Sequence, residues 1–282
     1  MSGTGSDTGT CPRTAPCRTF AFAHDQTNNN GAINVLSSGN FGPLIITKPI
    51  SIVADGVEAV INTALNGAAI NVQAGANAII SLRGLTIDMR GTDNFAIRFV
   101  SGAALHMQDC VIRKSKNGIF FIPSGTSELT VANSVISNSS GGGIFVFLSG
   151  SGHAKVALDR IRVENNEFSG IRLDAGGSAA IEATVNESIL AGNVEQGIVE
   201  QRYRYFLPEQ RNHPDRRLNG DWKCYRPICR GQRGNPLVWN QQDQWQRHRR
   251  GPDQHHQYEI ARESFASKKG ASSCVVIHCI HR

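Results

Sequence analysis

Two arginines and one aspartate are the side chains best placed to bind a ligand. Arg98 and Arg172 each follow the isoleucine of a short apolar segment, AIRF and GIRL, and Asp174 comes two residues after Arg172, where we expect the next bend. Guanidinium groups bind carboxylates through paired N–H donors, so both arginines are candidates to contact an acidic sugar. The alternative is that all three are solvated charges on an outward face.

Metal and cofactor chemistry has weaker support. Four successive repeats each have a polar or charged residue at the same bend. These residues are Asp109, Asn133, Arg160 and Glu187. Calcium takes six or more oxygen ligands, and the arginine interrupts the set, so we interpret these residues as turn formers. Cys110 shares a position with apolar and small residues and is expected to be a buried thiol. We expect no cofactor and no bound metal.

These residues belong to an internal repeat. A small residue followed by isoleucine opens a short apolar segment every 22 to 27 residues, and two further apolar positions keep nearly the same period. The first position is held by Ile70, Ile97, Ile119, Ile144, Ile171 and Ile198. The second is held by Leu82, Met107, Val131, Leu158 and Val185, and the third by Ile87, Ile112, Ile136, Val163 and Leu190. A fixed period in three positions indicates a solenoid.

The local pattern gives the type of solenoid. Apolar and polar residues alternate within each segment, as expected of strands with one buried face, and the connectors are rich in Gly, Asn and Ser. We therefore predict an all-β fold, a right-handed single-stranded parallel β-helix over residues 33–199. Residues 1–32 form the entry and cap, and residues 200–282 an irregular, disordered tail.

Two stretches carry a family resemblance over residues 3–199. The opening CPRTAPCRTF and the entry segment GAINVLSSGNFGPLIITKPISI resemble a secreted bacterial group within the pectin-lyase-like superfamily of β-helix proteins. The resemblance implies a secreted or cell-surface protein that is associated with polysaccharide.

Catalytic patterns of related polysaccharide hydrolases and lyases are missing. The hydrolase pattern of NTD, DD, GHG and RxK is absent, apart from a partial echo at His153, and so is the lyase pattern RxPxxR. We therefore expect a non-catalytic protein. A carbohydrate-active enzyme with an unrecognised site, and a decayed gene product without function, remain the alternatives.

Targeting signals and cysteines bear on location. No apolar run approaches the roughly 20 residues of a membrane helix, and Met1 leads directly into SGTGSDTGT, so we expect no signal peptide in the chain as written. Cys11 and Cys17 flank a short loop and could pair in an oxidising compartment.

The tail from residue 200 onward has a different composition. It holds all three Trp, all four Tyr and more than half of the 29 Lys and Arg, and it has no repeat. A nucleic-acid-binding appendix would fit the mixture of Arg, Tyr and Trp. A metal site would use the paired cysteines and nearby histidines of the tail, although zinc sites are usually more closely spaced. We favour neither, and expect no nucleic acid as partner.

A shifted reading frame is the interpretation we favour for the tail. The segment WNQQDQWQRHRR, residues 239–250, turns into Gly-, Asn- and Thr-rich text when its codons are read from their second base. Both Trp become Gly without choice, since Trp has a single codon. The shifted sequence has the residue types typical of β-helix turns. The possible codons of Ile260 and Ala261 also allow a stop codon in the shifted frame.

Overall fold

Three parallel sheets wind into a β-helix. A computed structural model describes residues 1–194 and 198–203 and two short strands later in the chain. Sheet A contains β1 (Gly31–Asn34), β4 (Ile50–Val53), β7 (Ile79–Arg83), β10 (Ala104–Gln108), β13 (Ser127–Ala132), β16 (His153–Asp159) and β19 (Ala180–Asn186). Sheet B contains β2 (Gly39–Asn40), β5 (Ala59–Ile61), β8 (Leu85–Asp88), β11 (Val111–Arg113), β14 (Val135–Ser137), β17 (Arg162–Glu164) and β20 (Ile189–Ala191). Sheet C contains β3 (Leu44–Ile46), β6 (Ala68–Gln73), β9 (Phe95–Ser101), β12 (Ile119–Phe121), β15 (Ile144–Leu148), β18 (Ile171–Gly176) and β21 (Ile198–Tyr203).

The predicted repeat is confirmed in register. Each isoleucine of the first position pairs with the next one along sheet C, from Ile70 through to Ile198. The second position forms a continuous ladder in sheet A, and the third does so in sheet B. Ile119 and Ile144 are register partners and both are 0% exposed. Burial of like residues above like residues is what stabilises the stack. Parallel connections within a sheet are right-handed in about 98% of cases, which is the hand expected here.

The bends between sheets A and B use a repeated left-handed residue. Gly84, Asp109, Asn133, Arg160 and Glu187 have φ values of 72°, 53°, 48°, 49° and 44°. The interpretation of the last four as turn formers is thus confirmed. A side chain at Gly84 would bring its Cβ to 2.1 Å from the carbonyl oxygen of Ala54, so this position requires glycine.

A cap closes the N-terminal end of the core. Helix α1 (Phe20–Gln26) has Thr19 as its N-cap, and the side chain of Thr19 accepts a hydrogen bond from the Phe22 N–H. The ring of Phe20 is 0% exposed and packs 5.3 Å from the ring of Phe41. Cys11 and Cys17 form the predicted disulfide in the loop before the helix.

Two strands of the tail are described. β23 (Cys274–Cys279) pairs antiparallel with β19, and β22 (Cys224–Tyr225) pairs antiparallel with β23. The remaining tail residues lie outside the described residues. They include Cys229, His255 and His256 of the metal-site alternative, and most of the residues to which the predictions of disorder and of a frameshift apply. No helix within the described range is long and apolar enough to cross a membrane.

Candidate functional site

The outer face of sheet C gathers the candidate residues into one line. Asn71, Arg98, Phe120, Phe145 and Arg172 are consecutive register partners on β6, β9, β12, β15 and β18. Each lies next to an isoleucine that points into the core, so alternation places its side chain on the outside. Strands in a sheet are about 4.8 Å apart, which separates Arg98 from Arg172 by about 14 Å.

Four phenylalanines form an aromatic strip on this face. The strip consists of Phe95, Phe120, Phe145 and Phe147, all of them half-buried. Phe95 and Phe120 are stacked at 4.5 Å and 5°, Phe120 lies 5.3 Å from Phe145, and Phe145 lies 6.4 Å from Phe147. Phe95 and Phe120 are the stacked pair, and the other two contacts are tilted by 31° and 39°. The strip is therefore a narrow apolar band between two arginines.

Arg172 and Asp174 close one end of the strip. The guanidinium lies over Phe145, 5.1 Å from the ring centroid. Its Nε donates to Oδ2 of Asp174 at 2.9 Å. The prediction that Asp174 lies on a bend is wrong, because β18 continues through Gly176 and keeps the aspartate within the strand. Asp174 is only 1% exposed. Burial raises the pKa of its carboxyl group, and the charge and hydrogen bond of Arg172 partly oppose that effect.

Arg98 and Asn71 lie at the other end. Among the described residues, Arg98 makes no ion pair, and its side chain is half-buried. Its register partner Asn71 is 0% exposed, and neither its Oδ1 nor its Nδ2 has a hydrogen-bond partner. One sequence signal points to this residue, since Asn71 follows Ile70 in AINV as Arg98 follows Ile97 in AIRF. The structure thus brings Arg98, Arg172 and Asp174 onto one face and adds Asn71.

The outer face of sheet C lacks the paired carboxylates of a glycosidase. Such enzymes use two carboxyl groups about 5 to 9.5 Å apart. Asp174 is the one carboxylate among the sheet C side chains that the structure describes. His106 lies far from this face, on β10 of sheet A, and His153 is exposed on β16. This arrangement can bind and orient a ligand, but it has no acid–base pair.

Other polar clusters are structural. Cys110 is a free, buried thiol, as predicted, and burial raises its pKa to about 11. A row of hydrogen bonds inside the bends joins Ser115 to Ser139, Ser139 to Asn166 and Asn166 to Asn193. Within the described ranges no three His, Cys, Asp or Glu side chains are grouped to hold a metal ion.

Comparison of the chain with family models, with curated proteins and with solved structures gave no match. The resemblance to the pectin-lyase-like superfamily therefore depends on the two quoted stretches and on the parallel β-helix itself.

Proposed function

We propose that this chain is a non-catalytic, extracytoplasmic β-helix protein that binds polysaccharide along the outer face of sheet C. The observation that carries the proposal is the aromatic strip with an arginine at each end. Aromatic rings offer apolar contact to the C–H groups of a sugar, and guanidinium N–H groups donate to its oxygens. The aromatic strip and its two arginines run across successive coils, so an extended polymer could contact several coils at once.

The disulfide supports the proposed location. Cys11 and Cys17 are joined in a loop that packs beside the N-terminal cap. Disulfides persist in oxidising environments such as the periplasm and the cell surface and are rare in the cytosol. A secreted bacterial parent, as the resemblance implies, fits this chemistry.

Binding to immobilised polymers tests the proposal. The panel contains polygalacturonate, alginate, their carboxyl-reduced forms, xylan and cellulose. We expect at least one polymer to retain the protein, and Phe120→Ala to weaken retention because it opens a gap in the strip. Phe168→Ala is the matched control, since Phe168 is a half-exposed aromatic residue in a bend after sheet B. No retention on any polymer, or equal losses in both variants, would reject the proposal.

The enzyme alternative has a direct assay. Purified protein, incubated with polygalacturonate or pectin and calcium, should give neither new reducing ends nor the ultraviolet absorbance of unsaturated products. Turnover that disappears in Asp174→Asn or Arg172→Gln would favour a lyase or hydrolase with an unrecognised site.

We also propose that residues 200–282 are read out of frame. Two observations support the frameshift. The composition changes after Val199, and the second reading frame of residues 239–250 has the residue types of β-helix turns. The nucleotide sequence across codons 195–262 tests this directly. The frameshift fails if the second frame contains no further repeat.

A further inference from the structure

Three buried polar atoms on the outer face of sheet C lack partners. They are Oδ1 and Nδ2 of Asn71 and Oδ1 of Asp174. Asn71 is 0% and Asp174 1% exposed. Buried polar groups in folded proteins are nearly always hydrogen-bonded, and each exception calls for an explanation, such as a functional role or a bound water or ion. These atoms flank the aromatic strip, one residue at each end.

The chemistry of these atoms restricts what can satisfy them. A carboxylate oxygen accepts hydrogen bonds only, so Asp174 Oδ1 requires a donor from the ligand. Asn71 requires a donor for Oδ1 and an acceptor for Nδ2. A sugar hydroxyl group is both donor and acceptor, whereas the carboxylate of a uronic acid offers acceptors alone. Two of the three atoms therefore favour a hydroxyl group over a carboxylate as the group that contacts them.

The charges of the site agree with this selection. Arg172 is already salt-bridged to Asp174 at 2.9 Å, so this end carries a paired charge and an unsatisfied acceptor. A second carboxylate brought there would face the buried charge of Asp174, and like charges placed together in an interface are strongly unfavourable. Arg98 is the remaining cation of the line, and its guanidinium donates to hydroxyl oxygens as well as to acids.

We infer that the outer face of sheet C selects an uncharged, hydroxyl-rich polysaccharide over a polyuronate, with Asp174 and Asn71 as the specificity-determining residues. This inference rests on the proposed polysaccharide-binding function and names its ligand class. It replaces the acidic sugar expected from the two arginines alone.

Access to the buried atoms requires side-chain movement. Arg98 and Arg172 are long, half-buried side chains beside Asn71 and Asp174, respectively. Changes of side-chain rotamer are common when an interface forms, even where the backbone is rigid. Strands β6 and β18 hold the two anchor residues in place while Arg98 moves aside and Arg172 shifts without breaking its bond to Asp174.

The decisive experiment compares each polyuronate with its own carboxyl-reduced form. Polygalacturonate and alginate are titrated into the wild-type protein at neutral pH, beside the same polymers with every carboxyl group reduced to a primary alcohol. We expect the reduced polymers to bind about tenfold tighter or more. Equal or tighter binding of the polyuronates overturns the inference while leaving the proposed function intact. If neither these four polymers nor xylan or cellulose binds, the proposed function itself fails.

Variants assign the selectivity to Asp174. Asp174→Asn removes the charge at nearly constant shape, so the preference for the reduced polymer should shrink. Asp88→Asn is the matched control, because Asp88 pairs with Arg113 on sheet B at 2.8 Å and lies away from the strip. A preference that is unchanged in Asp174→Asn, with the thermal melting point retained, rules out the role of Asp174. If Asp174→Asn fails to fold, the wild-type comparison still decides the inference.

Discussion

Lys114 occupies a left-handed bend that glycine would adopt at lower cost. Its φ is 55°, and Asn138, Asn165 and Gly192 hold the same position in the following coils with φ of 57°, 55° and 66°. The left-handed conformation costs a residue with a Cβ roughly 1 to 2 kcal/mol. We expect Lys114→Gly to raise the free energy of unfolding by up to about 1 kcal/mol, once the greater freedom of glycine in the unfolded chain is subtracted.

Urea denaturation measures this change. Lys155→Gly is the control, because Lys155 is exposed in the middle of strand β16, where glycine costs about 0.5 to 1 kcal/mol. Equal losses of stability in the two variants would show that the bend carries no strain.

His24 makes the cap sensitive to acid. Its Nε2 accepts a hydrogen bond from the Thr47 N–H at 3.3 Å, which requires an unprotonated ring nitrogen. Burial lowers the pKa of His24, Asp25 raises it and Lys48 lowers it, with a net decrease. The unfolded chain therefore binds the proton first, and the stability contributed by His24 falls as the pH drops from about 6.5 through the lower folded pKa.

Thermal melts at pH 7.5 and pH 5 test the role of His24. The wild type should lose more stability between these two conditions than His24→Gln, which cannot titrate. An identical pH dependence in both proteins would show that His24 is not responsible.

At the scale of the strands, the inward ladders should carry the stability. Ile144 is 0% exposed between Ile119 and Ile171. Ile144→Asp would place an unpaired carboxylate among these residues, and we expect a loss of roughly 4 kcal/mol or failure to fold. Ala157→Asp is the control on an exposed position of β16. Denaturation by urea should leave this variant close to wild type, and a stable Ile144→Asp would contradict the ladder.

The sequence predicts the inward half of each strand better than the outward half. Ile97, Ile119 and Ile144 reveal the register because core packing demands like residues at one period. Contacts on the outer face depend on the lengths of the bends and on the side-chain conformations, which the repeat does not specify. Phe95 is the first residue of β9 and has the same parity as the inward Ile97, yet its ring stacks on that of the outward Phe120. The expectation that Asp174 lies on a bend fails because the repeat marks where a strand starts and not where it ends.

At the scale of the whole molecule, the last described coil is the weak point. Ile189 on β20 is 50% exposed and Val194 is 74% exposed. Apolar exposure at an open strand edge favours association between chains. In the frame as written, sheet A ends with the antiparallel strand β23 on β19, where every earlier neighbour is parallel.

Restoring the shifted frame after Val199 should therefore extend the β-helix. About 60 codons precede the permitted stop, which at about 25 residues per coil allows about two more coils. A parallel strand should then replace β23 beside β19, and the side chains of Ile189 and Val194 should be covered. We expect the restored protein to stay monomeric in size-exclusion chromatography and to melt at higher temperature than the chain as written, which should aggregate. Limited proteolysis should cut the chain as written between Arg202 and Arg217 and leave the restored protein whole. If both proteins behave alike, the tail as written is a native part of the fold, and its basic and aromatic residues would call for an acidic partner.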